Sequence, residues 1–385
     1  MTSMRTVKEP LMPSLDATNL PETVLRQSYR YLDEPELIES GRAIQRRHQA
    51  KPHSQTNRLC VNRRKTKFVC KQLPGAPSSA DPLAHWQGVF AFTNKLRRHG
   101  VSICLPALTR CRQAAACVHG AAPNTRTYWS LTPYCAHVAF AATPQQVDGL
   151  ARTLALAHDA AGRWRAAPKY LVQGNLFRAN KALVAASAQE LQDKGHIKCD
   201  DEAEWQTFAT DIYERLDFLE AQALAAGYES RKIAIHGDFH PGNALFARQP
   251  PSTVSQPRLI DFDCARIDDP LDDVVRAILH LEIFDLRKSL PSAEAIQRGR
   301  AKAVEFVGKY YQYRSAPAQA AATDGLWSAI FEAIAWQIVV LYFLKRLALV
   351  PADLERAKQT VSSLMHDIAP FAAPSKFVDQ QGAEC

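Results

Sequence analysis

The sequence predicts an α+β chain of two lobes, a small β-rich one followed by a larger, mainly helical one. Three observations predict it. Short alternating runs, Arg58–Asn62 and Lys67–Leu73, are joined by a charged turn and read as a hairpin. From Thr143 onward the apolar positions recur at helical spacing instead. Two short apolar runs, Ile233 to Ile235 and Leu259 to Ile260, interrupt that helical part and lead to Asp238 and Asp261. A loop that follows a strand holds a polar side chain rigidly at the rim of a core, where chemistry can use it.

The bulk properties fit such a chain. Its 385 residues suffice for two lobes with a sizeable core. Hydrophobic content of 46% with 22% charged residues excludes a disordered chain. Met1 to Pro10 lacks the apolar stretch of a secretory signal. The most apolar run, Ala333 to Leu344, is far short of the roughly 20 residues that cross a bilayer. The expectation is a cytoplasmic protein with no membrane partner. Nine cysteines form no Cys-x-x-Cys pair, which suits reduced thiols better than a disulfide framework. Cys104, Cys111, Cys117 and His119 fall near one another but match no tight zinc spacing.

The net charge of +8 is uneven, with 16 Lys plus Arg against the single acid Asp81 from Gly41 to Val147, and 27 against 31 from Asp148 onward. A basic lobe attracts polyphosphate, nucleic acid or an acidic partner through its long-range field. A solvated basic face gives the same composition. No basic-aromatic alternation accompanies it, so nucleic acid is not the expected partner.

In chain order, Pro21 with Val24, Leu25 and Tyr29 on one stripe predicts a short helix from Glu22 to about Tyr31. In the second strand of the hairpin, Val69 and Lys71 share one face and Phe68 and Cys70 the other. A helix follows from about Pro82 to His99. Tyr128 to Tyr134 reads as a strand leading into a turn. Thr143-Pro144 starts a helix as N-cap and first-turn proline, with Val147, Leu150, Leu154 and His158 on one stripe. His158 reads as a packed or capping histidine, since no acid-base partner is evident for it. Asp200 to Ala226 is the clearest amphipathic helix, stopped by Gly227. The tail after Pro370 reads as flexible.

The spacing around the two aspartates carries the chemistry. His236-Gly-Asp238-Phe-His240-Pro-Gly-Asn243 is followed by Ile260-Asp261-Phe-Asp263-Cys-Ala. A carboxylate, an amide five residues on and an aspartate on the next strand are the parts that position a hydroxyl and a metal-bound phosphate. This ordered pair of motifs resembles the aminoglycoside phosphotransferase and choline kinase superfamily of kinase-like enzymes.

The resemblance implies a protein-kinase-like fold with ATP and Mg2+ between the lobes and a phosphotransferase acting on an alcohol group of a small molecule. It implies Asp238 as base and Asn243 and Asp261 as metal ligands. Lys71 is implied for the phosphates and Val69 for the adenine, with Leu131 or Tyr134 as hinge donors, since Pro133 has no N–H. His236 and His240 are implied as loop supports, with Asp263 supporting or facing the acceptor. Asp268-Asp-Pro270-Leu-Asp-Asp273 resembles the family's Pro-x-x-Asp segment, which gives Asp273 a capping or hydrogen-bonding role. The implied organisation is an extension over 1–40, an N-lobe over 41–135, a C-lobe over 136–370 and a tail over 371–385. Glu282, Asp285, Trp336 and Tyr342 would face the acceptor by analogy.

Two departures stand out. The candidate phosphate-covering loop, Lys51 to Asn57, contains no glycine. The helix that should carry a glutamate for Lys71 has none, with Gln87 the only amide in its first half. Leu20–Leu25, Thr56–Cys60 and Ala91–Leu96 are also similar to segments of bacterial stress-response kinase A, which points to protein Ser/Thr as an alternative acceptor. A nucleotide-binding module with little or no catalysis is the third reading.

Overall fold

The computed structural model describes residues 36–39, 57–61, 67–73, 82–106, 115–119, 126–165, 167, 171–193, 199–247, 256–281, 293–315, 323–344, 351–367 and 369. The expected helix over Glu22–Tyr31, nearly all of the candidate phosphate loop, Glu282, Asp285 and the tail lie outside the described residues. The chain divides into two compact units, one of Met1–Ala91 with Cys104–Cys135, the other of Phe92–Ile103 with Ala136–Cys385.

The first unit is built on one antiparallel sheet. Its strands are β1 (Glu36–Glu39), β2 (Asn57–Val61), β3 (Lys67–Leu73), β4 (Ala116–His119) and β5 (Arg126–Pro133), in the order β1-β2-β3-β5-β4. Alternation along β3 decides its faces, with Phe68 and Cys70 buried on one side and Val69 and Lys71 half-buried on the other, where Leu73 is buried at the strand's end. Helix α1 (Pro82–Arg98) begins in this unit and buries His85 and Trp86. It contains no acidic residue, and Gln87 is exposed on it.

The expectation of reduced thiols holds for Cys70 and Cys264 and fails for Cys104 and Cys135, which are paired as a disulfide across 31 residues of sequence. The loop they close contains β4 and β5, whose hairpin returns the chain towards its starting point. Sequence spacing carries no trace of such a long closure.

The second unit is mainly helical. Helix α2 (Pro144–Gly162) starts as expected, Thr143 Oγ1 accepting from the Gln146 N–H at 3.3 Å. It is followed by α3 (Leu176–Asp193) and α4 (Cys199–Ala225), then by the small strands β6 (Ile233–Ile235), β7 (Ala244–Leu245), β8 (Arg258–Leu259) and β9 (Arg266–Asp268). Helices α5 (Leu271–His280), α6 (Ala293–Tyr313), α7 (Asp324–Leu344) and α8 (Pro351–Asp367) complete it. Helix α7 is apolar nearly all round because α3, α4, α5 and α8 all pack on it. Trp327, Ile330, Phe331 and Ile334 are wholly buried there. Among the described residues, no helix is long and apolar enough to cross a membrane.

The small strands matter for position rather than bulk. β6 pairs antiparallel with β9, and β7 with β8, so the loop after β6 and the turn after β8 are delivered side by side. Backbone bonds from Leu259 N–H to the Ser102 carbonyl and from Val138 N–H to the Phe246 carbonyl, both 2.9 Å, fix the second hairpin at its flanks.

Candidate active site

The loop from His236 to Asn243 begins with a forced turn. Gly237 has φ +77°, and a Cβ there would lie 2.1 Å from the Cys264 carbonyl oxygen, so only glycine fits. The turn exposes two backbone N–H groups to the interior, and Asp273 takes both. Its Oδ2 accepts from His236 N–H and its Oδ1 from Gly237 N–H, each at 2.8 Å. Asp273 does not cap α5, whose N-cap is Pro270 without a side-chain bond. Burial alone would raise the Asp273 pKa, but the hydrogen bond from His158 and the neighbouring imidazoles outweigh it and hold the carboxyl below its ordinary value.

A closed ring of hydrogen bonds then ties the loop to the next hairpin. His236 Nε2–H donates to the Ile260 carbonyl at 2.9 Å, and Ile260 N–H donates to the Asn243 carbonyl at 3.1 Å. Asn243 Nδ2 donates to the Asp238 carbonyl at 2.9 Å and reaches Asp238 Oδ2 at 3.3 Å. Both contacts use Nδ2, so Asn243 Oδ1 points the other way. It is a hard oxygen, and Asp261 is the residue after Ile260, whose N–H the Asn243 backbone carbonyl accepts. Asp261 sits in the left-handed region at φ 64°, ψ 55°, the one strained non-glycine backbone in the motif. That chemistry, an amide oxygen and a carboxylate from adjoining turns, fits a divalent cation shared with a phosphate ligand. Among the described residues, no cluster of three or more His, Cys, Asp or Glu side chains could hold a metal alone.

The histidines have distinct tasks. With Nε2–H committed to Ile260, His236 Nδ1 faces the Asp238 N–H at 3.4 Å. Its ring lies 4.3 Å from that of Phe262, which meets Phe92 of α1 edge-on, and Phe92 stacks on Trp164. His240 accepts from Gly242 N–H at 3.0 Å through Nδ1, which leaves Nε2 3.7 Å from Asp238 Oδ2. Its other face stacks on His280 at 4.7 Å. Asp263 is half-buried in the turn Phe262–Cys264.

Under this loop lies an ionic cluster that sequence reasoning missed. Arg266 donates through Nε to Asp268 Oδ2 at 2.9 Å, through Nη1 to the Gly237 carbonyl at 3.3 Å, and through Nη2 to Asp272. Burial would lower its pKa, but Asp272 and Asp268 raise it instead, so the guanidinium stays charged. Asp272 also accepts from Arg276, and Asp268 from the hydroxyl of the wholly buried Tyr228. The only sequence signal was the density of acids from Asp268 to Asp273. His158, read as a packed histidine with no acid-base partner evident in sequence, is buried and has two partners: Asp273 Oδ2 3.2 Å from Nε2 and the Tyr310 hydroxyl 2.8 Å from Nδ1.

In the first unit, Lys71 pairs with Ser130 and Val69 with Thr132 across β3 and β5. Tyr134 is corrected as a nucleotide donor, because its N–H is already donated to the Lys67 carbonyl at 2.9 Å. That bond sets the alternation of the ladder and places Leu131 opposite Cys70 in a pair that does not exchange backbone bonds. The Leu131 N–H therefore points away from β3, while its side chain is buried in the core. The β4–β5 register ends at Trp129, before this position.

A five-stranded antiparallel sheet, then a helical unit whose short strands end in Asp238 and Asp261, is the frame of a two-lobed, protein-kinase-like phosphotransferase. The chain belongs to the phosphotransferase enzyme family, whose model matches residues 47–311. No curated protein matches the sequence. Solved structures share the fold at low identity. An amicoumacin kinase solved with AMP-PNP and Ca2+ is 13% identical with a TM-score of 0.62, over 91% of this chain and 94% of its own. An aminoglycoside phosphotransferase from Alicyclobacillus acidocaldarius is 16% identical with a TM-score of 0.53, over 98% of both chains. A microcompartment-associated aminopropanol kinase is 13% identical with a TM-score of 0.52, over 95% and 98%.

Proposed function

We propose that this phosphotransferase moves the γ-phosphoryl group of ATP, with magnesium, to a hydroxyl of a small molecule of the amino alcohol, aminoglycoside or sugar type. The observation that supports it is the closed ring through His236, Ile260, Asn243 and Asp238, which holds the Asp238 and Asn243 side chains against each other with Asp261 next along the chain from Ile260. Asp238 accepts or orients the proton of the attacking hydroxyl. Asn243 and Asp261 are the cation ligands, and magnesium supplies charge neutralisation at the transferring phosphoryl group. Lys71 holds the nucleotide phosphates, Val69 packs on the base, and the Leu131 N–H meets its edge. His240 steadies Asp238, His236 and Asp273 hold the loop, and Asp263 faces the acceptor side. We take the lobes as 41–135 and 136–370, flanked by 1–40 and 371–385. Fold relatives described as amicoumacin and aminopropanol kinases favour a small-molecule acceptor, and the AMP-PNP with Ca2+ in one of them favours a nucleotide with a divalent cation.

The absence of an acid from α1 favours a second reading, a nucleotide-binding module with little turnover. Purified protein with magnesium-ATP and a panel of hydroxylated amines, sugars and protein acceptors separates the two. Turnover on a small hydroxyl compound, lost by at least about a hundredfold in Asp238→Asn with ATP affinity kept, supports the proposal. Normal turnover in that variant would refute the role of Asp238. A raised melting temperature with ATP and no turnover on any acceptor would favour the module, and turnover on protein alone the Ser/Thr reading.

A further inference from the structure

We propose that Tyr310 and Arg314, at the end of α6, are positioning residues for the loop that carries Asp238, acting through His158 and Asp273. The inference rests on the functional reading above and adds two residues that no motif marks.

The donor directions form a consistent chain. Asp273 is wholly buried and already accepts from the His236 and Gly237 N–H groups. An ionised carboxylate offers only lone pairs, so His158 must present Nε2–H to it across 3.2 Å. In the neutral ring Nδ1 is then an acceptor, and the Tyr310 hydroxyl, 2.8 Å away, must donate to it. The same hydroxyl accepts from Arg314 Nη1 at 2.8 Å. Arg314 is held in turn by an ion pair with Asp159, whose Oδ2 accepts from the Ser315 N–H at 2.7 Å. One proton placement is consistent with each hydrogen bond from Arg314 Nη1 to Gly237. Burial keeps both central groups in the required form, pushing the Tyr310 hydroxyl up to about 12 and holding His158 below its usual value.

Removing the Tyr310 hydroxyl breaks the chain at its middle. His158 Nδ1 then has no donor, the two neutral tautomers become closer in energy, and the Nδ1–H form turns a lone pair towards the Asp273 carboxylate. The carboxylate and the two amides it holds shift together, and with them the turn that aims Asp238. Removing the partner that orients a metal-bound histidine typically costs about 10–100-fold in activity, and the low end of that range is the expected scale for this more distant relay.

The test uses the full-length protein as Tyr310→Phe, which keeps the ring packed edge-on against His158. Tyr311→Phe, altering the neighbouring ring outside the relay, is the control. Nitrogen NMR of histidine-labelled protein should show His158 leaving a single Nε2–H tautomer in Tyr310→Phe alone, with the Gly237 amide shifted and less protected from exchange. Turnover of magnesium-ATP with an acceptor from the panel should fall about tenfold in kcat, with KM for ATP changed less than twofold. Arg314→Gln, at the outer end, should move the same signals less and serves if Tyr310→Phe does not fold. An unchanged His158 tautomer and Gly237 amide overturns the relay whatever the activity. Altered signals with wild-type kcat overturn the positioning role. If the wild type turns over no acceptor, the phosphotransfer reading fails, and altered signals still establish the relay.

Discussion

Asp273→Asn is the sharpest test of how the loop is held, because the side chain keeps its shape and loses one acceptor. The carboxylate receives three hydrogen bonds, at 2.8, 2.8 and 3.2 Å, all in a wholly buried setting. An asparagine oxygen at the Oδ1 position keeps Gly237 and turns an NH2 towards His236 N–H, whereas the flipped amide keeps His236 and loses Gly237. Either way one buried N–H faces a donor, which costs about 1–3 kcal/mol. The surviving bonds lose their charge assistance, adding about 1 kcal/mol. The flipped amide also keeps the His158 Nε2–H bond, because Oδ2 serves both His236 and His158. The expected loss is therefore about 3 kcal/mol, against a total stability of about 5–15 kcal/mol for a domain. Urea unfolding followed by tryptophan fluorescence reads it. Asp211→Asn, which breaks a half-exposed pair with Lys358, should cost less than about 1 kcal/mol in the same assay. A loss under about 1 kcal/mol for Asp273→Asn would show that its three bonds do not hold the loop.

Other perturbations follow from the same structure. Lys71→Ala should weaken the ATP-induced rise in melting temperature or lower transfer about tenfold, and no effect on either would show that β3 does not hold the nucleotide. His158 gives a pH dependence with a definite sign. It faces Asp273 of α5, Tyr310 and Arg314 of α6 and Asp159 of its own helix, and burial leaves its folded pKa below 6.5. The unfolded chain thus takes up a proton first, so this contribution to stability is complete above pH 6.5 and is lost as pH falls, by up to ~1.4 kcal/mol per pH unit. His158→Gln should flatten that slope in urea titrations at pH 7 and 5.5, and an unchanged slope would place the effect elsewhere. Reducing Cys104–Cys135 should release two thiols and lower the melting temperature, since closing 31 residues is worth about 3–4 kcal/mol in the chain-entropy model. Equal thiol counts before and after reduction would refute the bond.

What could be read in advance was what is local in sequence. The β3 alternation, the Thr143 cap and the α4 periodicity depend on neighbours within a turn or two, so residue type and spacing decide them. The glycine of the His-Gly-Asp turn could be read as a motif letter, but its reason could not. That reason is the carbonyl of Cys264, brought close by the β6–β9 pairing. His158 showed the limit plainly. Its place on the stripe with Val147, Leu150 and Leu154 announced burial, while its partners lie 115 and 152 residues away. Arg266 was invisible for the same reason, since a lone arginine after a motif says nothing about two carboxylates and a glycine carbonyl converging on it. The Tyr134 N–H failed differently. A strand-to-turn pattern locates a donor without saying whether the neighbouring strand has already taken it.

The distribution of polar contacts separates two demands on this chain. Asp238 and Asn243 are aimed by groups that touch one another or the buried cluster below, and a defect in any link reaches both. His236 links Asp273 to Ile260, Ile260 links to Asn243, and Asn243 returns to Asp238. The ionic cluster beneath adds Arg266 to the carbonyl side of Gly237, opposite the amide side held by Asp273, so the turn is gripped on both peptide faces. Such closure suits phosphoryl transfer, where placement does most of the work and the geometry must not depend on the acceptor. Choice of acceptor must then come from side chains outside the ring. His280 of α5, whose ring stacks 4.7 Å from that of His240, is one side chain outside the ring on a helix, and measuring acceptor preference against turnover in His280→Ala tests that division.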